Sequence, residues 1–171
     1  DGSYTVRPVT DSDEVTNYEF GWKSVLNDGR LRFNGSVFFV DVSGLQTTIF
    51  DPSIANLFFS DNAADAEITG LEGDFLYYPN IDGLMISGAF SVLDTEIKKS
   101  LTTSDVLAGQ ELAFAPGAQA NLMARYEWGL AAGNQGHVQA QVNWSDESFS
   151  DIIEPNKARQ DSYSFMNLRA G

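Results

Sequence analysis

Residues 61–79, DNAADAEITGLEGDFLYYP, decide the fold class. In an extended chain successive side chains point to opposite sides. Leu71, Phe75 and Tyr77 then share one side, while Glu72 and Asp74 take the other with Leu76 and Tyr78. The segment reads as a strand with one apolar face. What covers that face is either a second protein layer or something that is not protein.

The same alternation runs through most of the chain, and helical periodicity is nearly absent. Residues 15–27 put Tyr18, Phe20, Trp22 and Leu26 opposite Glu19, Gly21 and Lys23. Asn27-Asp28-Gly29-Arg30 is a tight-turn signal. The chain returns with Leu31, Phe33, Val37 and Phe39 against Arg32, Asn34 and Ser36. Residues 67–79 and 83–97 flank a second short turn, and residues 118–128 and 136–146 flank a third. A last segment, 162–170, sets Met166, Leu168 and Ala170 against Asn167 and Arg169. These patterns predict an all-β chain, an antiparallel up-and-down meander of about seven long strands.

Connection lengths alternate. Short turns near 27–30, 79–83 and 129–135 fall at one end of the sheet, and long polar segments near 43–65, 97–117 and 146–161 fall at the other. Strands of roughly 10 residues with short turns on one side and long loops on the other match part of a large outer-membrane β-barrel. There the apolar face meets lipid and the polar face meets the interior. Tyr77, Tyr126 and Trp128 lie on the apolar face beside short turns, and Tyr18 and Trp144 lie on it near the long-loop ends. With Trp22 they are candidates for the aromatic belts of a bilayer interface. A two-sheet sandwich produces the same alternation. A soluble all-β carbohydrate-binding or adhesin-like module is therefore the alternative, with the apolar faces buried against a second sheet.

Bulk properties limit the function. The chain has 171 residues and a net charge of -14, which disfavours nucleic acid as a partner. It has no cysteine, so a disulfide scaffold, thiol catalysis and Cys-based zinc sites are excluded. No apolar run reaches the roughly 18 residues of a membrane helix, which leaves barrel strands open. No signal peptide is recognisable at Asp1-Gly2-Ser3. His137 is the single histidine and falls on the polar face beside Gln139. There is no G-x-S-x-G motif for a serine hydrolase. The carboxylate pairs Glu72/Asp74 and Asp94/Glu96 read as wall residues rather than acid–base catalysts. The acidic stretch SDESFSDIIEPN (145–156) could offer oxygen ligands to Ca²⁺, but it lacks EF-hand spacing and reads as a solvated loop. No enzyme activity, resident metal or cofactor is expected.

Five blocks, in order, resemble TonB-dependent outer-membrane receptors. VTNYEFGWKS (15–24) is similar to the family's "ET-x-x-YE-x-G-x-K" strand, and LRFNGSVFFVDVSGLQ (31–46) to the strand that follows. Residues 62–97 resemble its next hairpin, with Ala66, Gly70 and Glu72 in the "A-x-x-x-G-x-E" pattern. LAFAPGAQANLMARYEW (112–128) and ARQDSYSFMNLRAG (158–171) look like later strands, the second near the barrel's C-terminal end.

The resemblance implies a 22-stranded plugged barrel that takes up a scarce ligand such as a ferric siderophore, vitamin B12 or an oligosaccharide. The inner-membrane TonB complex would supply the energy and a plug domain the gate. Residues 1–171 would then be a single unit, about a third of that barrel. The plug, the TonB box, the earlier strands and about two final ones are expected to be missing. The polar-face residues Arg32, Glu72, Asp74, Arg125, Glu127 and Arg169 would pair with the plug. The loops 45–64, 98–115 and 146–160 would meet ligand. In the first of these, Ile49, Phe50, Leu57, Phe58 and Phe59 are expected to pack a small core of the loop's own.

Overall fold

A computed structural model of the chain describes residues 10–51, 57–101 and 106–171. Its main body is one seven-stranded antiparallel sheet in the order β1-β2-β3-β4-β5-β6-β9. The strands are β1 (Glu14–Leu26), β2 (Leu31–Asp51), β3 (Leu57–Tyr77), β4 (Leu84–Ser100), β5 (Ala118–Gly129), β6 (Gln135–Ser145) and β9 (Tyr163–Ala170). A minimal hairpin, β7 (Ser148–Phe149) with β8 (Arg159–Gln160), lies in the loop between β6 and β9. Each strand of the main sheet pairs with the next one in sequence, so the meander holds.

The turns are built as their residues require. Asn27, Asp28 and Gly29 all take positive φ, and Arg30 N–H closes the turn on Asn27 C=O at 3.1 Å. Asn and Asp tolerate that region better than other side-chain-bearing residues. At Gly83 φ is +79°, and a Cβ would stand 2.0 Å from the Glu127 carbonyl oxygen. Only glycine fits there, and Glu127 N–H uses the approach to donate to Gly83 C=O at 2.8 Å.

The register joins the apolar sides of the strands into one continuous face. Phe20 pairs with Val37, Val37 with Leu71, Leu71 with Val92, Leu122 with Val142 and Val142 with Met166. Nothing among the described residues covers that face. Phe20 is 68% exposed, Leu122 51% and Leu168 69%. The sandwich alternative is not met: among the described residues no second sheet lies against these side chains. Glycines on this face receive rings from the next strand. A Cβ at Gly35 would fall 2.3 Å from the Trp22 indole, and one at Gly136 2.7 Å from Trp128. Aromatic side chains lie flat over these gaps and fill the space a Cβ would take.

The expected long loop over 43–65 is also corrected. β2 and β3 continue as a paired hairpin through Gln46↔Asn62 and Thr48↔Ser60 up to Asp51↔Leu57. A bulge between Val42 and Leu45 takes up Ser43 and Gly44, with Gly44 at φ +71°. Asn62 Nδ2 donates to Gly44 C=O at 2.6 Å and pins the bulge. The side chains of Ile49, Phe50, Leu57, Phe58 and Phe59, and the expected small core they would form, lie outside the described residues.

The buried core is at this outer end, not within the sheet. Ala63, Ala64, Ile97, Val106, Ile152 and Ile153 form one cluster, with Leu45, Leu112 and Ala113 packed against it. The segments 106–117 and 146–160 fold onto the outer halves of β2–β4 to make it. Ile97 N–H donates to Gln110 C=O at 2.7 Å and Leu112 N–H to Thr95 Oγ1 at 3.0 Å. The two loops also hold each other. Phe114 N–H donates to Phe149 C=O at 2.8 Å, and Val106 bridges Ile153.

Candidate functional site

The polar face of the sheet carries the candidate wall residues. Strand parity and register put Arg32, Glu72, Asp74, Arg125, Glu127 and Arg169 on the same side, opposite the apolar band. Arg125 and Glu127 come together: Arg125 Nε donates to Glu127 Oε1 at 2.7 Å, and its Nη1 reaches Gln139 Oε1 at 3.4 Å. Asp74 accepts from Asn34 Nδ2 at 3.1 Å, and Glu72 accepts from Ser36 Oγ at 3.1 Å. Arg32 and Arg169 make no ion pair among the described residues. The wall thus holds Glu72 and Asp74 with neutral donors and Glu127 with Arg125, and leaves Arg32 and Arg169 without an ion pair among the described residues.

His137 stands opposite Glu127 on this face. It is half-buried, and its Nε2 has no hydrogen-bond partner among the described residues. Parity alone puts it on this face, and its ring lies beside Gly171, just past the end of β9.

Toward the loops the polar face opens into a depression of about 330 Å³. Small residues make the hollow: Ala89 and Ser91 sit between Glu72 on β3 and Asn121 and Gln119 on β5. On the far side, Asn143 and Ser145 of β6 face Phe165 and Tyr163 of β9. The two rings stack at 6.5 Å between centroids with 10° between planes. The sequence reading passed over Tyr163 and Phe165, although the same period-two parity that put Asn167 and Arg169 on the polar face puts them there.

The opposite face changes character along its length. From the short turns to Leu71 and Val92 it is apolar. Beyond them it carries Thr69, Asp94, Glu67, Glu96 and Asp41. Lys98 Nζ lies 2.8 Å from Glu96 and 3.5 Å from Glu67 on this charged rim. Tyr77, Tyr126 and Trp128 lie at the turn end of the apolar band, with Tyr126 and Trp128 stacked at 5.9 Å. Tyr18 and Trp144 lie at its loop end, and Trp22 leans on Phe33 between them at 6.1 Å.

The loops supply local ion pairs. Lys157 reaches Glu154 at 3.3 Å and lies 4.2 Å over the Phe149 ring, and Arg159 pairs with Glu147. Asp146 and Asp151 cap backbone N–H groups of Glu147 and Ile153. The acidic stretch 145–156 is therefore tied up in its own turn, and no group of acids or His among the described residues is arranged to hold a metal ion.

The family model for the TonB dependent receptor-like β-barrel matches residues 7–171. Solved structures share the fold. The ferric yersiniabactin uptake receptor FyuA from Yersinia pestis superposes with a TM-score of 0.73 at 18% identity, over 93% of this chain and 22% of that one. The siderophore receptor PiuA from Acinetobacter baumannii gives 0.70 at 22% identity, over 94% and 22%. BauA, the ferric preacinetobactin receptor of the same organism, gives 0.67 at 22% identity, over 91% and 22%. The chain spans less than a quarter of the length of these proteins. It belongs to the TonB-dependent receptor family, as a stretch of the β-barrel by which those transporters, which are not enzymes, sit in the outer membrane of Gram-negative bacteria.

Proposed function

We propose that this chain is a sector of the wall of a TonB-dependent uptake receptor whose apolar face meets lipid and whose polar face lines the lumen. The carrying observation is the contrast between the two faces of one sheet: a continuous uncovered apolar band on one, charges and amides on the other. Height supports the lipid contact. Ten residue steps from Ala118 to Trp128, at ~3.4 Å each and tilted ~40°, span about 25 Å, the height of a barrel's apolar band. The charged rim begins where that band stops, as the cost of a charge in hydrocarbon requires.

The parent protein would bind a scarce ligand with its outer loops and lumen residues. A plug domain would close the lumen, and the TonB complex would release it. Arg32 and Arg169 are the wall groups best placed to meet plug carboxylates, because neither makes an ion pair among the described residues. Glu72, Asp74, Arg125 and Glu127 would offer the plug hydrogen-bonding groups already held in position. The loop segments 106–117 and 146–160 would be a fixed part of the ligand mouth, since they are packed on β4 rather than free.

Deleting the parent gene should abolish growth on one scarce ligand (a ferric siderophore, vitamin B12 or an oligosaccharide) supplied as the limiting source. A strain lacking TonB should show the same defect. A deletion strain that grows like the wild type on all three classes would sink the proposal.

A further inference from the structure

We infer that Asn62 is a latch at the outer end of the sheet. It ties the segment ahead of β1 to the base of the outer hairpin, and through that base to the cap formed by segments 106–117 and 146–160. The three parts then open together rather than one at a time. The latch concerns motion, not ligand, and it stands or falls apart from the uptake proposal.

The β1–β2 ladder ends at Glu14↔Ser43. Ahead of it, Asp11 is nevertheless held by both of its backbone groups. Asp11 N–H donates to Asn62 Oδ1 at 2.9 Å, and Asn62 Nδ2 donates to Asp11 C=O at 3.0 Å. Asn62 belongs to β3, two strands away from β1. A side-chain amide carries donor and acceptor side by side, as a peptide group does, so it can stand in for a neighbouring strand. Gln46 Nε2 gives Asp11 C=O a second donor at 2.9 Å.

The reach across β2 is open because Gly44 has no side chain. A Cβ there would stand 3.1 Å from Asn62 Nδ2 and 3.9 Å from the Ser12 carbonyl oxygen. Asn62 Nδ2 also donates to Gly44 C=O at 2.6 Å, and Gly44 N–H donates to Asp65 Oδ1 at 2.9 Å. One amide thus engages both its donors and its oxygen, and joins β3 to partners 18 and 51 residues away.

The same base carries the cap. Ala63 and Ala64, directly after Asn62, are fully buried in the cluster with Ile97, Val106, Ile152 and Ile153, and Leu45, next to Gly44, packs against it. Leu101 N–H donates to Ala63 C=O at 2.9 Å. The register shifts on both sides of Leu45 put the irregular, bendable part of the ribbon at this point. Asn62 therefore has its side chain on the lead-in segment and its chain neighbours in the cap. Movement of either one strains the contact with the other, which is the condition for a shared opening unit.

The test is amide exchange on the full-length receptor purified in detergent, read at Asp11 on one side of the latch and at Leu101 on the other. Asn62→Ala should speed exchange at Asp11 by about tenfold, as expected for the loss of its hydrogen bonds, and at Leu101 by a smaller factor. Asn62→Leu, close in volume but without the amide, should do the same. Ile97→Ala keeps Asn62 and loosens the cap, so it should also speed exchange at Asp11. In the Asn62→Ala background it should add nothing there, because the coupling is already cut. Exchange at Leu101 unchanged in the folded Asn62 variants would overturn the inference. So would an Ile97→Ala receptor whose cap segments exchange faster while Asp11 does not. That second measurement needs no change at Asn62, so it decides even if the Asn62 variants do not fold.

Discussion

Val92 and Ile97 lie five residues apart on β4, yet Val92 is 49% exposed and Ile97 is fully buried. Both are branched aliphatics with the same preference for leaving water. Val92 belongs to the face that none of the described residues covers. Ile97 belongs to the other face, beyond the band, where two loops close over it. In this chain hydrophobic residues do two separate jobs. Those in the band present a surface to the surroundings, and those at the outer end make the only aliphatic cluster of buried residues among the described ones. If the band meets lipid as proposed, it needs an apolar solvent, whereas the outer cap is held by its own packing.

The largest effect should come from removing that solvent. With detergent withdrawn, the receptor should lose its monodisperse peak on size-exclusion chromatography altogether, because the band is a contiguous apolar surface. A soluble monomer under those conditions would erase the distinction between the two regions.

Ile97→Ala comes next. It should cost about 2–5 kcal/mol of cap stability, the usual range for emptying a buried aliphatic site. Amide exchange should then rise in 106–117 and 146–160 and stay unchanged in β5 and β6. Equal rises in both would mean that cap and wall open as one unit.

Leu122→Arg puts a charge on the middle of the apolar face and should cost about 2–4 kcal/mol in lipid vesicles. Its neighbour Met123 lies on the polar face, so Met123→Arg should cost far less. Urea titration of the two variants side by side reads the face assignment directly, and a reversed order would turn the sheet inside out.

Gly35→Ala should have the smallest effect, about 1–3 kcal/mol from overpacking, as the new Cβ collides with the Trp22 ring. The indole fluorescence should shift as the ring is displaced. An unchanged spectrum would mean that the ring is not held over the glycine.

Much of the wall was legible because a strand's side-chain period is two, and a pattern of that period can be read locally. Tyr18, Phe20 and Trp22 against Glu19 and Lys23 fix a face without knowledge of any partner strand. The turn at Asn27-Asp28-Gly29 was legible for the same reason: its chemistry is local. The outer hairpin was not. Ser43-Gly44 and Asp61-Asn62 look like loop punctuation, but here Gly44 forms a bulge and Asn62 fastens it. Polar residues that end a strand in one setting extend it in another, and the choice depends on a partner 18 residues away. The candidate wall residues shared one face on parity alone. Their pairing did not follow: Arg125 found Glu127 within its own strand, whereas Asp74 found Asn34 across the sheet.

The sequence by itself determined the seven strands of the main sheet, the face each residue takes between the short turns and the bulges, and the end at which the short turns lie, since all three follow from alternation and turn chemistry within a few residues. Only the tertiary structure decided that the apolar faces join into one uncovered band and that Ile97, Val106 and Ile153 meet under the loops. It also decided that Tyr163 and Phe165 stand across from Asn143. Those contacts join residues far apart in the chain, and the closure of long loops leaves no local signature in the sequence.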